Sequence, residues 1–306
     1  MVQKTSSKIL FIKLFQPYAQ YRNPMTFYYA QSFPLPPKTT VIGFFQNITR
    51  KFYEEDFWHL EVSIHGGFES RFWNLQQLIG TKRITFEKID GRYFIFIEAE
   101  IRGKKRVSKR FPLYSTILRN VAKAYRGGTT RQEELFNGHI YLFVKGDTEL
   151  LNSIYNSIRK PWTVLRLGRS EDVVYIRNIH WLKTKDLEEK VVESSLRIEV
   201  PTYIKLSHNG ERLPLTNESL HSFPTYMIPI RHDFYILKGL VRRRVKMLGE
   251  LLSTKFSRRQ REVDFETVIW TGFHAWLEFN QPVNVYFVKI SGEKFVFPII
   301  DRFGWL

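Results

Sequence analysis

The sequence predicts an α+β protein. Three observations predict it. Short alternating apolar runs recur along the chain, two stretches in the first half repeat apolar residues at helical spacing, and the second half is dominated by strand-like runs separated by turn signals. At 306 residues and 43% hydrophobic content, the chain can fill one large domain or two moderate ones around a real core. We divide it into a first domain over 1–182 and a mostly β C-terminal domain over 183–306.

Residues Lys8 to Phe15 read as a central strand. The segment Gln16 to Ala30 is polar and aromatic; Tyr21 could stack on a base and Arg22 hold a phosphate, or the loop could serve as a lid over the core. Pro34, Pro36 and Pro37 then fix an extended elbow. A helix follows, with Thr39 or Thr40 as cap, Val41, Phe44, Phe45 and Ile48 as its apolar face, and an end near Phe52 or Tyr53. The elbow delivers the free N–H groups of a helix start to a fixed place beside Lys38, a natural seat for phosphate. It could equally turn the chain beneath a sheet.

A second strand spans Leu60 to Phe68 and breaks at Gly66-Gly67, and 71–79 is ambiguous between strand and loop. Lys82 to Ile89 and Arg92 to Ile101 read as strands paired across Asp90-Gly91, a tight-hairpin signal. The following run holds Arg102, Lys104, Lys105, Arg106, Lys109 and Arg110 and no acidic residue. A solvated face normally mixes signs, so polyphosphate contact is favoured over solubilising charge. Arg126 and Arg131 continue the basic character. Gly138 to Lys145 is a strand, and Asp147 caps a helix from Thr148 to about Ser157 with Leu150, Leu151, Ile154 and Ile158 on its apolar face. Next comes Arg166-Leu167-Gly168-Arg169-Ser170-Glu171-Asp172. Its amides and two guanidinium groups could hold a phosphate, with Glu171 and Asp172 bracing the arginines, or it is a β-turn with internal salt bridges. A strand at Val173 to His180 completes the order strand, helix, strand, inserted basic hairpin, strand, helix, strand. That is the split plan of a ferredoxin-like domain, shared by RNA-recognition modules, although their paired-aromatic signature is not recognisable in these strands.

In the second half, Lys183 to Glu193 reads as a charged connector and Ser195 to Val200 as a strand. Asn209-Gly210 marks a hairpin, and Phe223 to Ile230 is a proline-broken extended run at a sheet edge. Phe234 to Leu237 is a short strand, and Val283 to Lys289 and Lys294 to Ile300 close the chain. Arg242, Arg243, Arg244, Arg258, Arg259 and Arg261 form a second basic patch, for nucleic acid or complex contact or as a solvated helix face.

The formal charge of +17 points to a polyanion, with nucleic acid ahead of a membrane surface because no basic amphipathic helix stands out. The chain has no cysteine, which excludes disulfides and thiolate metal sites. No signal peptide or membrane-length apolar run is evident, so a cytoplasmic location is expected. Richness in Phe, Tyr, Ile, Lys and Arg tilts toward a heat-tolerant organism. The eight histidines show no metal-ligand spacing, and no nucleotide fingerprint or nucleophile elbow is present, so no metal or cofactor is expected.

Three segments together resemble a known family: the opening strand with Phe33 to Gly43; Arg131-Gln132 leading into the strand His139 to Val144 and the helix after Asp147; and Leu167 to Asp172 before an apolar strand. The chain resembles the fifth family of CRISPR-associated proteins, of the RAMP superfamily, the single-copy subunit of type I Cascade, most like the I-B or I-A variants. The resemblance implies a non-catalytic subunit that holds the repeat-derived 5′ handle of the guide RNA (crRNA) and caps the backbone. It makes a hairpin thumb of about 82–110. It also implies a Cascade backbone subunit, a large or target-recognition subunit and target DNA as partners, with no membrane. Two alternatives stay open: a metal-independent endoribonuclease that processes the repeat, and a stand-alone nucleic-acid-binding module.

Overall fold

The computed structural model describes residues 8–26, 29–77, 84–89, 92–100, 106–112, 129–238, 241–245 and 259–306. Strand β1 (Ile9–Ala19) lies inside the main sheet because both of its faces are apolar. Leu10, Ile12 and Leu14 enter the largest core, while Phe11 enters a separate cluster on the other face. A short β2 (Tyr29–Ala30) precedes α1 (Lys38–Thr49). The helix starts one residue ahead of the threonines, so Pro37 occupies the cap position and no side chain caps it. It also stops at Thr49, short of the expected end near Phe52 or Tyr53. Arg50 adopts φ 60°, and the Arg50 and Lys51 amides donate back to the Asn47 and Gln46 carbonyls, the double closure that ends a helix.

Strand β3 (Glu61–Gln77) runs straight through Gly66-Gly67, where a break was expected. The two glycines mark close approach rather than an end. A Cβ on Gly66 would sit 2.1 Å from the His139 carbonyl oxygen, and one on Gly67 would lie 2.4 Å from the Phe273 ring. The ambiguous stretch after Arg71 is therefore strand as far as Gln77. Next come β4 (Ile84–Ile89), β5 (Arg92–Glu100) and β6 (Arg106–Pro112), an antiparallel three-stranded sheet inserted in the chain. The expected pairing of the first two strands is present, and the turn at Asp90-Gly91 lies outside the described residues. Strand β7 (Thr129–Lys145) pairs with β3 along its whole length. Helix α2 (Thr148–Arg159) follows, its first turn fixed by the Asp147 carboxylate, which accepts from Leu150 N at 2.9 Å. Its buried residues are the four that the spacing predicts. Strand β8 (Tyr175–Trp181) completes a sheet in the order β8–β1–β7–β3, each neighbour antiparallel, with β2 beside β7. Both helices pack into the Leu10, Ile12 and Leu14 side of it. The architecture is α+β, as the sequence predicts.

The second half is built of strands with one short helix among its described residues. The supposed connector contains β9 (Leu187–Val192), an edge strand whose Glu188, Glu189 and Lys190 are exposed. Then come β10 (Ser195–Ile198), β11 (Tyr203–Lys205), β12 (Ser207–His208) and β13 (Glu211–Arg212). The last two close around Asn209 and Gly210, both at positive φ as a tight hairpin requires. After α3 (Asn217–Ser222), β14 (Thr225–Lys238) absorbs both the proline-broken run and the short strand expected after it. It pairs with β15 (Val241–Arg244) and β16 (Arg259–Trp270). Because β15 reaches only Tyr235 to Lys238, Pro229 has a strand on one side only, and a bulge follows it. Strands β17 (Ala275–Glu278), β18 (Val283–Lys289) and β19 (Val296–Ile300) end the chain.

The two halves share buried surface. Tyr203, Ile228, Val268 and Leu306 join the core formed by α1, α2 and the main sheet, and Leu306 exchanges backbone hydrogen bonds with Val62. On the opposite face, Val288, Phe297 and Ile299 cover Phe11, Tyr141 and Phe143. His65 lies in this seam, fully buried, edge-on to the Phe143 and Phe297 rings at 5.4 and 5.6 Å. Its Nε2 meets Ser63 Oγ at 3.0 Å, and Nδ1 has no partner. Burial pushes its pKa from 6.5 down to about 3. The unfolded chain therefore takes up this proton more readily than the folded one. The stability that a neutral His65 supplies is complete above pH 6.5 and is lost as pH falls toward 3, by at most about 5 kcal/mol. Replacing His65 with Gln should flatten the pH dependence of unfolding free energy over pH 6.5 to 4 by close to one proton. Denaturant titrations at several pH values check this, and an unchanged slope would remove His65 from the acid sensitivity.

Candidate nucleic-acid interface

Five distant stretches of chain meet around one open cleft of about 490 Å³. The segment after β1 supplies Gln20, Tyr21, Arg22 and Pro24; the start of α1 supplies Pro37, Thr39 and Thr40. The glycine turn adds Gly168 and Arg169, and β14 with β16 adds Pro229, His232, Arg261, Val263 and Phe265. Of the residues singled out in the sequence, Tyr21, Arg22, Thr39, Thr40, Gly168, Arg169 and Arg261 come together here.

Backbone hydrogen bonds hold the elbow wall in place. Phe33 N donates to Tyr21 O at 2.7 Å, and Tyr21 N donates to Ser32 Oγ at 2.9 Å. From the second half, the buried Tyr203 hydroxyl accepts from Leu35 N and donates to Leu35 O. This bracing fixes where α1 begins. The Lys38 and Thr39 amides have no hydrogen-bond partner among the described residues, and the first turn carries no acid. The positive end of the helix is therefore left uncompensated at the cleft. Lys38 itself turns inward. Its Nζ donates to Trp58 O at 3.2 Å, and burial, with Lys205 nearby, lowers its pKa to about 8. Tyr21 is likewise buried, its hydroxyl donating to the Gln16 side-chain oxygen, so it lines the cleft without offering a free ring.

The glycine turn is a clasp. Gly168 sits at φ 111°, and a Cβ there would lie 2.7 Å from Asp172 Oδ2. The Asp172 carboxylate, 1% exposed, accepts from Gln20 N at 3.1 Å, from Arg169 N at 2.8 Å and from Arg169 Nη2 at 2.8 Å. Arg169 also donates from Nε to Asp172, and from Nη1 to Gln132 Oε1 at 3.2 Å and Glu134 Oε1 at 3.1 Å. Burial works against its charge, but Asp172 and Glu134 hold its pKa above the ordinary value. The second N–H of Nη2 has no hydrogen-bond partner among the described residues, and Arg169 lines the cleft. Ser170 donates to Glu171 instead of facing inward.

The remaining cations sort by their partners. Arg22, Arg131 and Arg166 are exposed with no carboxylate partner among the described residues. Arg261 meets His232: its Nε donates to His232 Nδ1 at 2.9 Å, and burial lowers the pKa of both, that of His232 to about 4. Arg244 belongs to a four-charge network with Arg231, Glu55 and Asp233. Arg243 is exposed on β15. The backbone alone places Arg242 on β15, Arg259 on β16, and Arg106, Lys109 and Arg110 on β6. Arg102, Lys104, Lys105, Arg126 and Arg258 lie outside the described residues. The sequence reading missed Gln20, His232 and Phe265 in the cleft. No local pattern marks them; the β14–β16 register places the last two, setting His232 opposite Val263 and Pro229 opposite Phe265, and the Asp172 carboxylate holds Gln20.

A basic α+β protein with a cationic, helix-capped cleft is what these features define. The family described as CRISPR-associated protein (Cas_Cas5) matches residues 9–237, and the chain belongs to that family. No curated protein matches the chain. Among solved structures it is similar to a chain of a "CRISPR RNA-guided surveillance complex", at 12% identity over 86% of this chain and 91% of that one, TM-score 0.41. It is also similar to a CRISPR protein from Archaeoglobus fulgidus, at 14% identity over 96% and 99%, TM-score 0.37.

The clasp leads to a stability prediction. Replacing Asp172 with Ala leaves the half-buried Arg169 with only Glu134 and the exposed Glu171 as carboxylate partners and orphans the Gln20 amide. It should cost about 3–5 kcal/mol in denaturant unfolding; a loss below about 1 kcal/mol would show that the clasp does not hold the turn.

Proposed function

We propose that this chain is the RNA-holding subunit of a type I CRISPR interference complex, non-catalytic, with the 5′ handle of the guide RNA seated in the cleft. The observation that carries this is the convergence of Arg22, the uncompensated start of α1, the remaining Arg169 donor and Arg261 around one opening. Backbone amides with guanidinium groups, of which Arg169 alone is braced by carboxylates, suit a bent sugar–phosphate chain. The order β8–β1–β7–β3 with two helices on one face supports the ferredoxin-like reading of 1–182. The sheet of β4 to β6, at the place of the basic run, is our candidate for the thumb that meets the backbone subunit. The second half, with its arginines on β15 and β16, is our candidate for contact with a target-recognition subunit and target DNA. An I-A or I-B subtype, a cytoplasmic location and a heat-tolerant source complete the proposal.

Binding is preferred to cleavage for a specific reason. The imidazole that lines the cleft, His232, has its acceptor nitrogen engaged by Arg261, which leaves it poorly placed to take a proton from a 2′-hydroxyl. Incubation with repeat RNA in a metal chelator tests this: intact RNA is expected, and cutting at one fixed site would replace the binding reading with the endoribonuclease one. Co-elution with guide RNA and a backbone subunit separates a complex subunit from a stand-alone module.

For the cleft itself, Arg22→Ala and Arg261→Ala should each weaken handle-RNA binding several-fold. Each should also shrink the slope of log affinity against log salt by about 0.7, the share of one phosphate contact on a single strand. Unchanged slopes in both variants would place the RNA elsewhere.

A further inference from the structure

The face of the main sheet that carries Phe11 is only partly covered. The strands β18 and β19 close it around Phe11, Tyr141 and Phe143, and among the described residues His139 and Tyr175 toward the other end of the same face are exposed. Side chains alternate along β1, so Phe15 lies on this face, opposite Gln16, whose amide reaches into the glycine turn at Leu167 O. The strand register then sets one transverse row. Tyr175 stands opposite Phe15, Phe15 opposite His139, and His139 opposite Gly67. The Phe15 ring centroid lies 5.3 Å from His139 and 6.2 Å from Tyr175. Gly67 brings no side chain, and Phe273 from the second half lies over it. Aromatic rings thus occupy all four strand positions, a span of about 15 Å at ordinary strand spacing.

Two of these rings are more exposed than buried, Tyr175 at 52% and Phe273 at 57%. Arg177 is exposed, its guanidinium 4.9 Å from the Phe15 centroid. The nearby acid, Glu293, is neutralised by Lys13 at 2.6 Å. Cross-strand aromatic pairs stabilise a sheet by touching one another, which does not require the outer rings to stand free. An aliphatic protein partner would be matched by an aliphatic border, but this row is bordered by the Arg177 guanidinium. Flat rings one strand apart beside a guanidinium match single-stranded RNA, whose bases stack while its phosphates pair.

We propose that Tyr175, Phe15, His139 and Phe273 form a stacking platform for two or three bases of single-stranded RNA, with Arg177 on an intervening phosphate. The platform is a second contact, across the sheet from the glycine turn, and it rests on the RNA-binding reading above only for the choice of polymer. Burial, then Lys13 and Arg177, hold the pKa of His139 below its ordinary value, so its ring stacks as a neutral one.

The test uses fluorescein-labelled decauridylate, which lacks any handle sequence, beside handle RNA. The Tyr175→Leu/Phe273→Leu double variant keeps apolar cover over the sheet but removes two π faces. It should bind decauridylate about tenfold or more weakly with an unchanged salt slope. Tyr175→Trp and Phe273→Trp should retain parental affinity. Arg177→Gln should lower the slope by about 0.7. Parental affinity in the double leucine variant, tryptophan variants as weak as the leucine ones, or a change in subunit co-elution without a change in RNA affinity would each overturn the platform. The two readings fail separately. A wrong handle assignment leaves the decauridylate effect in place, and a wrong platform leaves the Arg22 and Arg261 effects in place.

Discussion

The cleft depends on one buried carboxylate. Asp172 gathers the Gln20 amide, the Arg169 amide and the Arg169 guanidinium, and Arg169 in turn reaches Gln132 and Glu134 on β7. Three separate pieces of chain, the loop after β1, the turn before β8 and the arm of β7, are thereby held to one point. Removing this shared acceptor would leave the Gln20 and Arg169 amides and part of the Arg169 guanidinium without a partner, which is why a short loop can stay in a fixed shape at the mouth of an open cleft. The prolines and Tyr203 do the same for the opposite wall, by fixing the backbone rather than by charge.

A formal charge of +17 says little about which cations meet a ligand. Lys38, Arg169 and Arg244 are largely committed to internal partners, whereas Arg22, Arg131 and Arg166 are exposed with no carboxylate partner among the described residues. The difference lies in carboxylates and carbonyls supplied from elsewhere in the chain: Trp58 for Lys38, Glu134 for Arg169, Glu55 for Arg244. A reading of local runs sees only the sum of these roles.

That contrast also describes what was legible. Helix α2 could be read in full because its determinants are local: a capping carboxylate and apolar residues at helical intervals. The bracing of Arg169 by Asp172 was legible for the same reason, the two being three residues apart. Gly66-Gly67 misled because the reason for those glycines, the His139 carbonyl and the Phe273 ring, lies on other strands. The aromatic row was invisible in the sequence. Its members come from three strands and a distant turn, and only the register aligns them. The cleft was half legible: each wall announced itself, but not that the walls face one another.

The long pairing of β3 with β7 carries a constraint of its own. From Glu61 opposite Lys145 to Gln77 opposite Thr129 the ladder runs without a shift, roughly 55 Å of ribbon at ordinary rise per residue. Everything inserted between these strands inherits its orientation from that ladder. Loss or gain of a single residue in either strand would invert the outward side of all that lies beyond it. Relatives that lengthen or shorten this ribbon while keeping the insertion's aspect must therefore do so in even steps, or place a compensating bulge at its root.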